Sequence, residues 1–152
     1  MLHTGTDYHY QVLHEPLGEE AAITFSFRGS AEAHIGFFES SDGESTGSSA
    51  QYEISLCGSQ GARSAIRDGK GTSNLVSFDN LPGDCSDTDF KSYWASAANG
   101  LVRIGHGNLV GRNVFLEWQD PDETLRITHA AVTTGYDFEG DWVLCVPEIC
   151  AG

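Results

Sequence analysis

Basic residues are scarce in this sequence of 152 residues. Eight Lys and Arg stand against 22 Asp and Glu, which gives a formal net charge of −14 at pH 7. Proteins that bind nucleic acids or anionic membranes neutralise phosphates with cationic side chains, so we predict no nucleic-acid partner. No apolar run approaches the roughly 20 residues that a bilayer-spanning helix needs, so we predict no membrane insertion. The charge is instead compatible with neutral ligands or cations.

Sequence motifs of the common enzyme classes are also missing. A doubly wound nucleotide-binding fold needs strands that alternate with helices and a glycine-rich turn that opens a helix. The sequence shows neither pattern, and it contains no nucleophile elbow, no His-Glu-x-x-His motif and no phosphate-binding loop. These absences predict a protein that acts by binding and not by catalysis.

The first residues and the cysteines bear on the cellular compartment. Residues 1–7 contain no basic region and no apolar stretch, which predicts a chain without a signal peptide, either a cytosolic protein or a mature form behind an added methionine. Four cysteines in an acidic, lysine-poor chain favour a secreted protein with disulfides. Cys57 could pair with Cys85 and Cys145 with Cys150, or a terminal cysteine could bridge two subunits.

Alternation of apolar and polar residues recurs along the chain, whereas helical periodicity is almost absent. The predicted strands are residues 23–28, 33–38, 52–57, 102–104, 114–118, 125–127 and 142–146. Asn99-Gly100 predicts a tight hairpin, because a type I′ turn needs positive φ at both central residues. No internal repeat or change in composition divides the chain. We therefore predict one domain, residues 1–152, with an all-β fold: a jelly-roll-like antiparallel β-sandwich of about nine or ten strands.

Short blocks of sequence between residues 23 and 143 form an ordered series. They are residues 25–35, Tyr52-Glu53-Ile54, 64–67, Tyr93-Trp94, 100–105, 115–120, 133–135 and 140–142. In this order they resemble the farnesoic acid O-methyltransferase domain family, a resemblance that extends to galactose-binding lectins of marine invertebrates. It implies a carbohydrate-binding protein whose partners are glycans with terminal galactose. The family name implies an alternative, a small-molecule O-methyltransferase, and an extracellular protein-interaction module is a third hypothesis.

Polar side chains that face away from the core are the candidates for sugar recognition. Such groups can hydrogen-bond hydroxyls while an aromatic face covers the C–H side of the ring. The predicted sugar-binding residues are Arg28, His34, Glu53, Gln119, Asp120 and Tyr136. The first three occupy outward strand positions, the next two lie at a turn, and Tyr136 lies in a loop. The same alternation predicts that Trp118 and Trp142 belong to the core.

Acidic turns are candidates for calcium, which takes about six to eight oxygen ligands. The predicted metal ligands are Asp84, Asp87, Asp89, Asp137, Glu139 and Asp141, and a further acidic turn contains Asp120, Asp122 and Glu123. A cation would relieve the self-repulsion of a chain of net charge −14, so calcium is the predicted cofactor. Because a multivalent binder gains avidity from pairing its sites, we also predict a secreted homodimer.

Overall fold

The alternating segments of the sequence form two six-stranded antiparallel sheets. The computed structural model describes residues 1–13, 15–39, 50–122 and 126–146. Its strands are β1 (Leu2–Thr4), β2 (Gln11–Val12), β3 (Ala22–Gly29), β4 (Ala33–Phe38), β5 (Tyr52–Cys57), β6 (Arg63–Arg67), β7 (Val76–Asp79), β8 (Ser86–Ala98), β9 (Leu101–His106), β10 (Val114–Gln119), β11 (His129–Thr134) and β12 (Gly140–Cys145). The strand order is β1-β12-β3-β8-β9-β10 in the first sheet and β2-β11-β4-β5-β6-β7 in the second. The predicted antiparallel β-sandwich is confirmed.

The core lies between the two sheets and is built by the predicted alternation. In β3, Ile23, Phe25 and Phe27 are buried against the opposite sheet. The ring of Trp142 packs on Phe27 with a centroid separation of 4.6 Å and on Phe25 at 5.5 Å. Trp142 is fully buried, as predicted, whereas Trp118 is half-buried and packs against the edge of the core. Burying these apolar faces at about 25 cal/mol per Å² supplies most of the favourable free energy of folding.

Two local predictions are confirmed. Asn99 and Gly100 have φ of 55° and 77° and connect β8 to β9 as a two-residue hairpin turn. Cys57 and Cys85 form a disulfide that ties the end of β5 to the residue before β8. Cys145 is disulfide-bonded as well, and its predicted partner Cys150 lies outside the described residues.

Two element predictions were wrong. Residues 126–127 are irregular and β11 begins only at His129, while Leu125 of the same prediction lies outside the described residues. Asp87 and Asp89, predicted to form an acidic turn, belong to the 13-residue strand β8. Gly29 lies opposite Ser86 and Phe27 opposite Lys91, so residues 87–90 fall at an irregularity of the β3–β8 ladder. The pairing on either side of them overrides the turn preference of this acidic stretch.

The structure contains little helix. The single helical element described is Gly58–Gly61, and its residues Ser59 and Gln60 have left-handed dihedrals. Within the described residues, no helix is long and apolar enough to cross a membrane.

Candidate functional site: a polar notch on the second sheet

The outer face of the second sheet carries a row of polar side chains. Alternation along β4 and β5 turns Ile35 and Ile54 into the core and His34, Glu53 and Ser55 to the opposite face. The strand register then sets His34 beside Ser55, Ser55 beside Ala65, and Glu53 beside Arg67 of β6. The predicted direction of His34 and Glu53 is therefore right.

Their predicted exposure was wrong. His34 and Glu53 are both 0% exposed. The N-terminal segment (residues 5–13) runs beside β11 at the edge of the sheet, and its side chains Tyr8 and Tyr10 lie over them. The segment is fixed to β11 by the hydrogen bond from the Tyr8 amide to the Thr134 carbonyl oxygen at 3.0 Å. The ring of Tyr8 lies over the His34 imidazole with a centroid separation of 4.6 Å.

Glu53 anchors this segment through a buried hydrogen-bond network. The Tyr8 hydroxyl donates to the carboxylate at 2.7 Å and the Tyr10 hydroxyl donates to Oε2. Arg67 Nη1 donates to Oε1 at 2.8 Å, and the Gly71 amide donates to the same oxygen at 3.0 Å. Burial and the neighbouring carboxylate raise the pKa of both phenols well above the usual range, so both remain donors at neutral pH. Glu53 is thus fully engaged inside the protein.

Beside this network, small side chains leave a notch in the same sheet face. Ala65 lies between the outward-facing Arg63 and Arg67 on β6, with Ser55 next to it on β5. We call this cavity of about 200 Å³ the Ser55 notch. It is lined by Glu32, Ser55, Gly58, Ser59, Arg63, Ala65, Arg67, Asn74 and Tyr136. The Oγ atom of Ser55 is buried there with no hydrogen-bond partner among the described residues, an arrangement that costs free energy unless a polar group satisfies it.

Glu32 forms one wall of the notch and is held by other groups of the protein. Its carboxylate bonds His34 Nε2 at 3.2 Å and the backbone amides of Ser59 and Gln60. Burial acts to raise the pKa of Glu32, but these hydrogen bonds outweigh it, and the pKa lies below its ordinary value. Ser59 and Gln60 present their amides because their φ angles are 52° and 62°, a conformation that costs about 1–2 kcal/mol for each non-glycine residue.

Tyr136 supplies the aromatic wall. Its side chain is 57% exposed, and it stands in a turn in which Tyr136 and Asp137 have φ of 54° and 73°. The Phe138 amide closes this turn on the Gly135 carbonyl oxygen at 3.0 Å. The ring packs against Tyr8 with a centroid separation of 5.2 Å. An exposed ring therefore borders a cavity lined by polar groups.

The other predicted sugar-binding residues lie elsewhere. Arg28, on the first sheet, forms an ion pair with Asp141 at 2.9 Å and covers the ring of Phe90 at 4.5 Å. Gln119 donates to the Asn99 carbonyl oxygen at 3.2 Å. Asp120 accepts a hydrogen bond from the Tyr52 hydroxyl at 2.6 Å. These three side chains thus complete local contacts that stabilise the fold, and the structure does not bring them to the notch.

No calcium site is seen among the described residues. They contain no group of three or more His, Cys, Asp or Glu side chains arranged to hold a metal. Asp84 accepts from the Leu81 amide at 2.7 Å and so closes a turn, while Asp87 and Asp89 are strand residues. Four of the six predicted metal ligands come together in a cleft of about 290 Å³ that Arg28 also lines: Asp87, Asp137, Glu139 and Asp141. Of the remaining acidic turn, Glu123 lies outside the described residues.

Sequence reasoning missed the floor and rim of the notch. Arg63, Ser55 and Glu32 were not among the predicted site residues, although Arg63, Ala65 and Arg67 follow the period-2 spacing of one strand face. The available signal was the small residue between two arginines, which predicts a gap in a sheet surface. Whether that gap forms a site depends on the side chains of the neighbouring strands. Only the strand register of the folded chain shows which residues those are.

Solved structures share this architecture at low sequence identity. A Bacillus subtilis protein of unknown function with a galectin-like fold matches with a TM-score of 0.57 at 14% identity, over 89% of this chain and 76% of that chain. A prokaryotic β-1,3-1,4-glucanase from a mouse hindgut metagenome gives 0.55 at 11% identity, over 88% and 68%. The Ca²⁺- and Man3GlcNAc-bound lumenal domain of VIP36 gives 0.53 at 7% identity, over 93% and 77%. These likenesses define the fold as a lectin-like β-sandwich.

Sequence comparison identifies the family. The chain matches the family described as farnesoic acid O-methyl transferase over residues 5–148, and it belongs to that family. Among curated proteins, a BTB/POZ domain-containing protein of Arabidopsis thaliana is 33% identical over 46 residues, which is 30% of this chain and 6% of that protein. The chain therefore spans only a small part of the length of that relative.

Proposed function

We propose that this protein is a lectin that binds glycans reversibly at the Ser55 notch and makes or breaks no bond. The observation that carries the proposal is the exposed Tyr136 ring on the wall of a polar cavity of about 200 Å³. A sugar needs both the polar lining and the aromatic ring, because its hydroxyls require hydrogen-bond partners and its C–H face packs on an aromatic side chain. The lectin-like fold supports the same reading.

The preferred sugar in this proposal is a terminal galactose. Family resemblance supports that choice, since related lectins of marine invertebrates bind galactose. Within the notch, the Asn74 amide and the Ser55 hydroxyl could meet ring hydroxyls while Tyr136 covers the opposite face. A homodimer outside the cell would present two such notches and gain avidity, and the Cys57–Cys85 disulfide supports the extracellular location.

Calorimetric titration with lactose and an array of glycans tests this proposal. The variant Ala65→Leu fills the notch with apolar atoms and should abolish binding, while Tyr136→Ala should weaken it roughly tenfold, equivalent to about 1.4 kcal/mol. Leu109→Ala is the matched control, because Leu109 is a 67% exposed side chain of a first-sheet loop. Circular dichroism establishes that each variant is folded. Absence of binding to every glycan would overturn the proposal.

Calcium and the oligomeric state are separate arms of the same experiment. The proposed sugar contacts are made by protein side chains of the notch, so sugar affinity should be equal with calcium and with a chelator. A calcium requirement would instead support the earlier prediction, as in VIP36, whose structure contains Ca²⁺. Analytical ultracentrifugation of the non-reduced protein determines whether it is a dimer.

The family name supports a second candidate, a small-molecule O-methyltransferase. Such an enzyme would bind adenosylmethionine, and the sequence has no glycine-rich turn of the doubly wound type for that cofactor. Calorimetry with adenosylmethionine distinguishes the two candidates. We expect no heat of binding, and a saturable titration would favour the enzyme.

A further inference from the structure

Two of the eight Lys and Arg residues of the chain line the Ser55 notch, and they differ in how far they are neutralised. Arg67 donates from Nη1 to Glu53 at 2.8 Å and from Nε to Asn74 at 2.9 Å, and its side chain is 17% exposed. Its charge is therefore balanced by a buried carboxylate. Arg67 belongs to the internal network as much as to the notch.

Arg63 is only weakly neutralised. Its side chain is 51% exposed, and its one acidic contact within the described part of the chain runs from Nε to Asp79 at 3.4 Å. The side chain of Asp79 is itself 86% exposed. Exposed ion pairs of this kind contribute about 0–1 kcal/mol to the stability of the folded protein. Both Nη atoms are without a hydrogen-bond partner among the described residues. A guanidinium with two available donors therefore stands at the rim of the notch.

The other charged side chains that line the notch are less exposed than Arg63. Glu32, the carboxylate that lines the notch, is 9% exposed and is bonded to His34 and to two backbone amides. The net charge of −14 belongs to the whole chain, and at physiological ionic strength exposed charges are largely screened beyond about 8 Å. Of the charged side chains that line the notch, Arg63 is therefore the one that a ligand reaches most easily.

We infer that the notch takes a sugar with an acidic substituent, a carboxylate or a sulfate, which pairs with Arg63 at the rim. This inference rests on the proposed function and names the ligand class of the same site. The guanidinium donates two parallel hydrogen bonds to such a group, which a neutral hydroxyl cannot accept in the same way. The sugar ring packs on Tyr136, and the substituent points toward β6. A protein with few cations thus uses one of them for recognition.

Calorimetry with three probes tests the inference: lactose, lactose sulfated at the 3′ position and lactose sialylated at the 3′ position. The two acidic probes separate the sulfate from the carboxylate source. We expect at least one acidic probe to bind about five- to tenfold more tightly than lactose at 0.15 M salt. This advantage should shrink at 0.5 M salt, because the added interaction is electrostatic.

Arg63→Gln should remove the advantage of the acidic probe and leave lactose binding within about twofold. Arg112→Gln, an exposed arginine of a first-sheet loop, makes the same change in net charge and should keep the advantage. Arg63→Lys, which keeps the charge but not the paired donors, should retain only part of it, and it serves as the second variant if Arg63→Gln folds poorly. Equal affinity of the wild-type protein for all three probes would overturn this inference and leave the proposed function standing. No binding of any probe would remove both.

Discussion

Replacing Glu53 with glutamine should destabilise the protein strongly without changing its shape. The carboxylate accepts hydrogen bonds from Tyr8, Tyr10, Arg67 and the Gly71 amide while being 0% exposed. An amide can offer only one oxygen, so its NH₂ group must face donors. Arg67, whose side chain is 17% exposed, also loses its counter-charge. Removing one partner of a buried ion pair costs about 3–5 kcal/mol.

Urea unfolding measures this loss. With a slope of about 2 kcal/mol per M, the midpoint of Glu53→Gln should fall by roughly 1.5–2.5 M. The control is Glu117→Gln, an exposed strand residue, which should change the free energy of unfolding by less than about 0.5 kcal/mol. Tyr10→Phe removes a single donor and should cost about 1–2 kcal/mol. If Glu53→Gln unfolds within about 1 kcal/mol of the wild type, the buried network does not hold the N-terminal segment.

Three further predictions concern the scaffold around the site. Replacing both Cys57 and Cys85 with alanine opens a crosslink between residues 28 apart and should cost about 3–4 kcal/mol in urea unfolding; no change would mean that the crosslink does not restrict the unfolded chain. The lowered pKa of Glu32 contributes stability that is complete above the ordinary carboxyl pKa and is lost as the pH falls through the lowered value. Between about pH 6 and pH 3, the free energy of unfolding should therefore fall less for Glu32→Gln than for the wild type. Parallel curves of unfolding free energy against pH would contradict this. Gly100 has a φ of 77°, which strains any residue with a Cβ, so Gly100→Ala should lower the stability by about 1–2 kcal/mol in thermal unfolding. An unchanged unfolding midpoint would show that alanine is not strained at this position.

The sandwich could be predicted because its causes are local. Alternation in segments such as residues 23–27 and 142–146 is visible in a few consecutive residues, and Asn99-Gly100 encodes its own turn. Where local preference and tertiary pairing disagree, the pairing wins. The acidic residues Asp87 and Asp89 lie within a long strand because the residues on either side of them, Ser86 and Lys91, pair with β3.

The site could be predicted only in part, because its exposure is decided by contacts between distant residues. Alternation gave the direction of His34 and Glu53 correctly, yet the segment that covers them bonds across 45 positions, from Tyr8 to Glu53. The notch itself depends on three features that meet only in the folded chain: small residues on two paired strands, the left-handed turn at Gly58–Gly61, and Tyr136 from a distant loop. No pattern within one segment of sequence contains that arrangement.

The covered network also gives the notch its shape, and this dependence can be measured. The ring of Tyr8 packs against both His34 and Tyr136, with centroid separations of 4.6 and 5.2 Å. The orientation of the exposed Tyr136 ring therefore depends on a residue that does not line the notch. Tyr8→Phe keeps the ring and should leave sugar affinity within about twofold, whereas Tyr8→Ala should weaken binding nearly as much as Tyr136→Ala. Residues in contact give non-additive effects, so the double variant should bind little worse than either single one. Additive losses would show that Tyr8 supports binding by a route other than holding Tyr136.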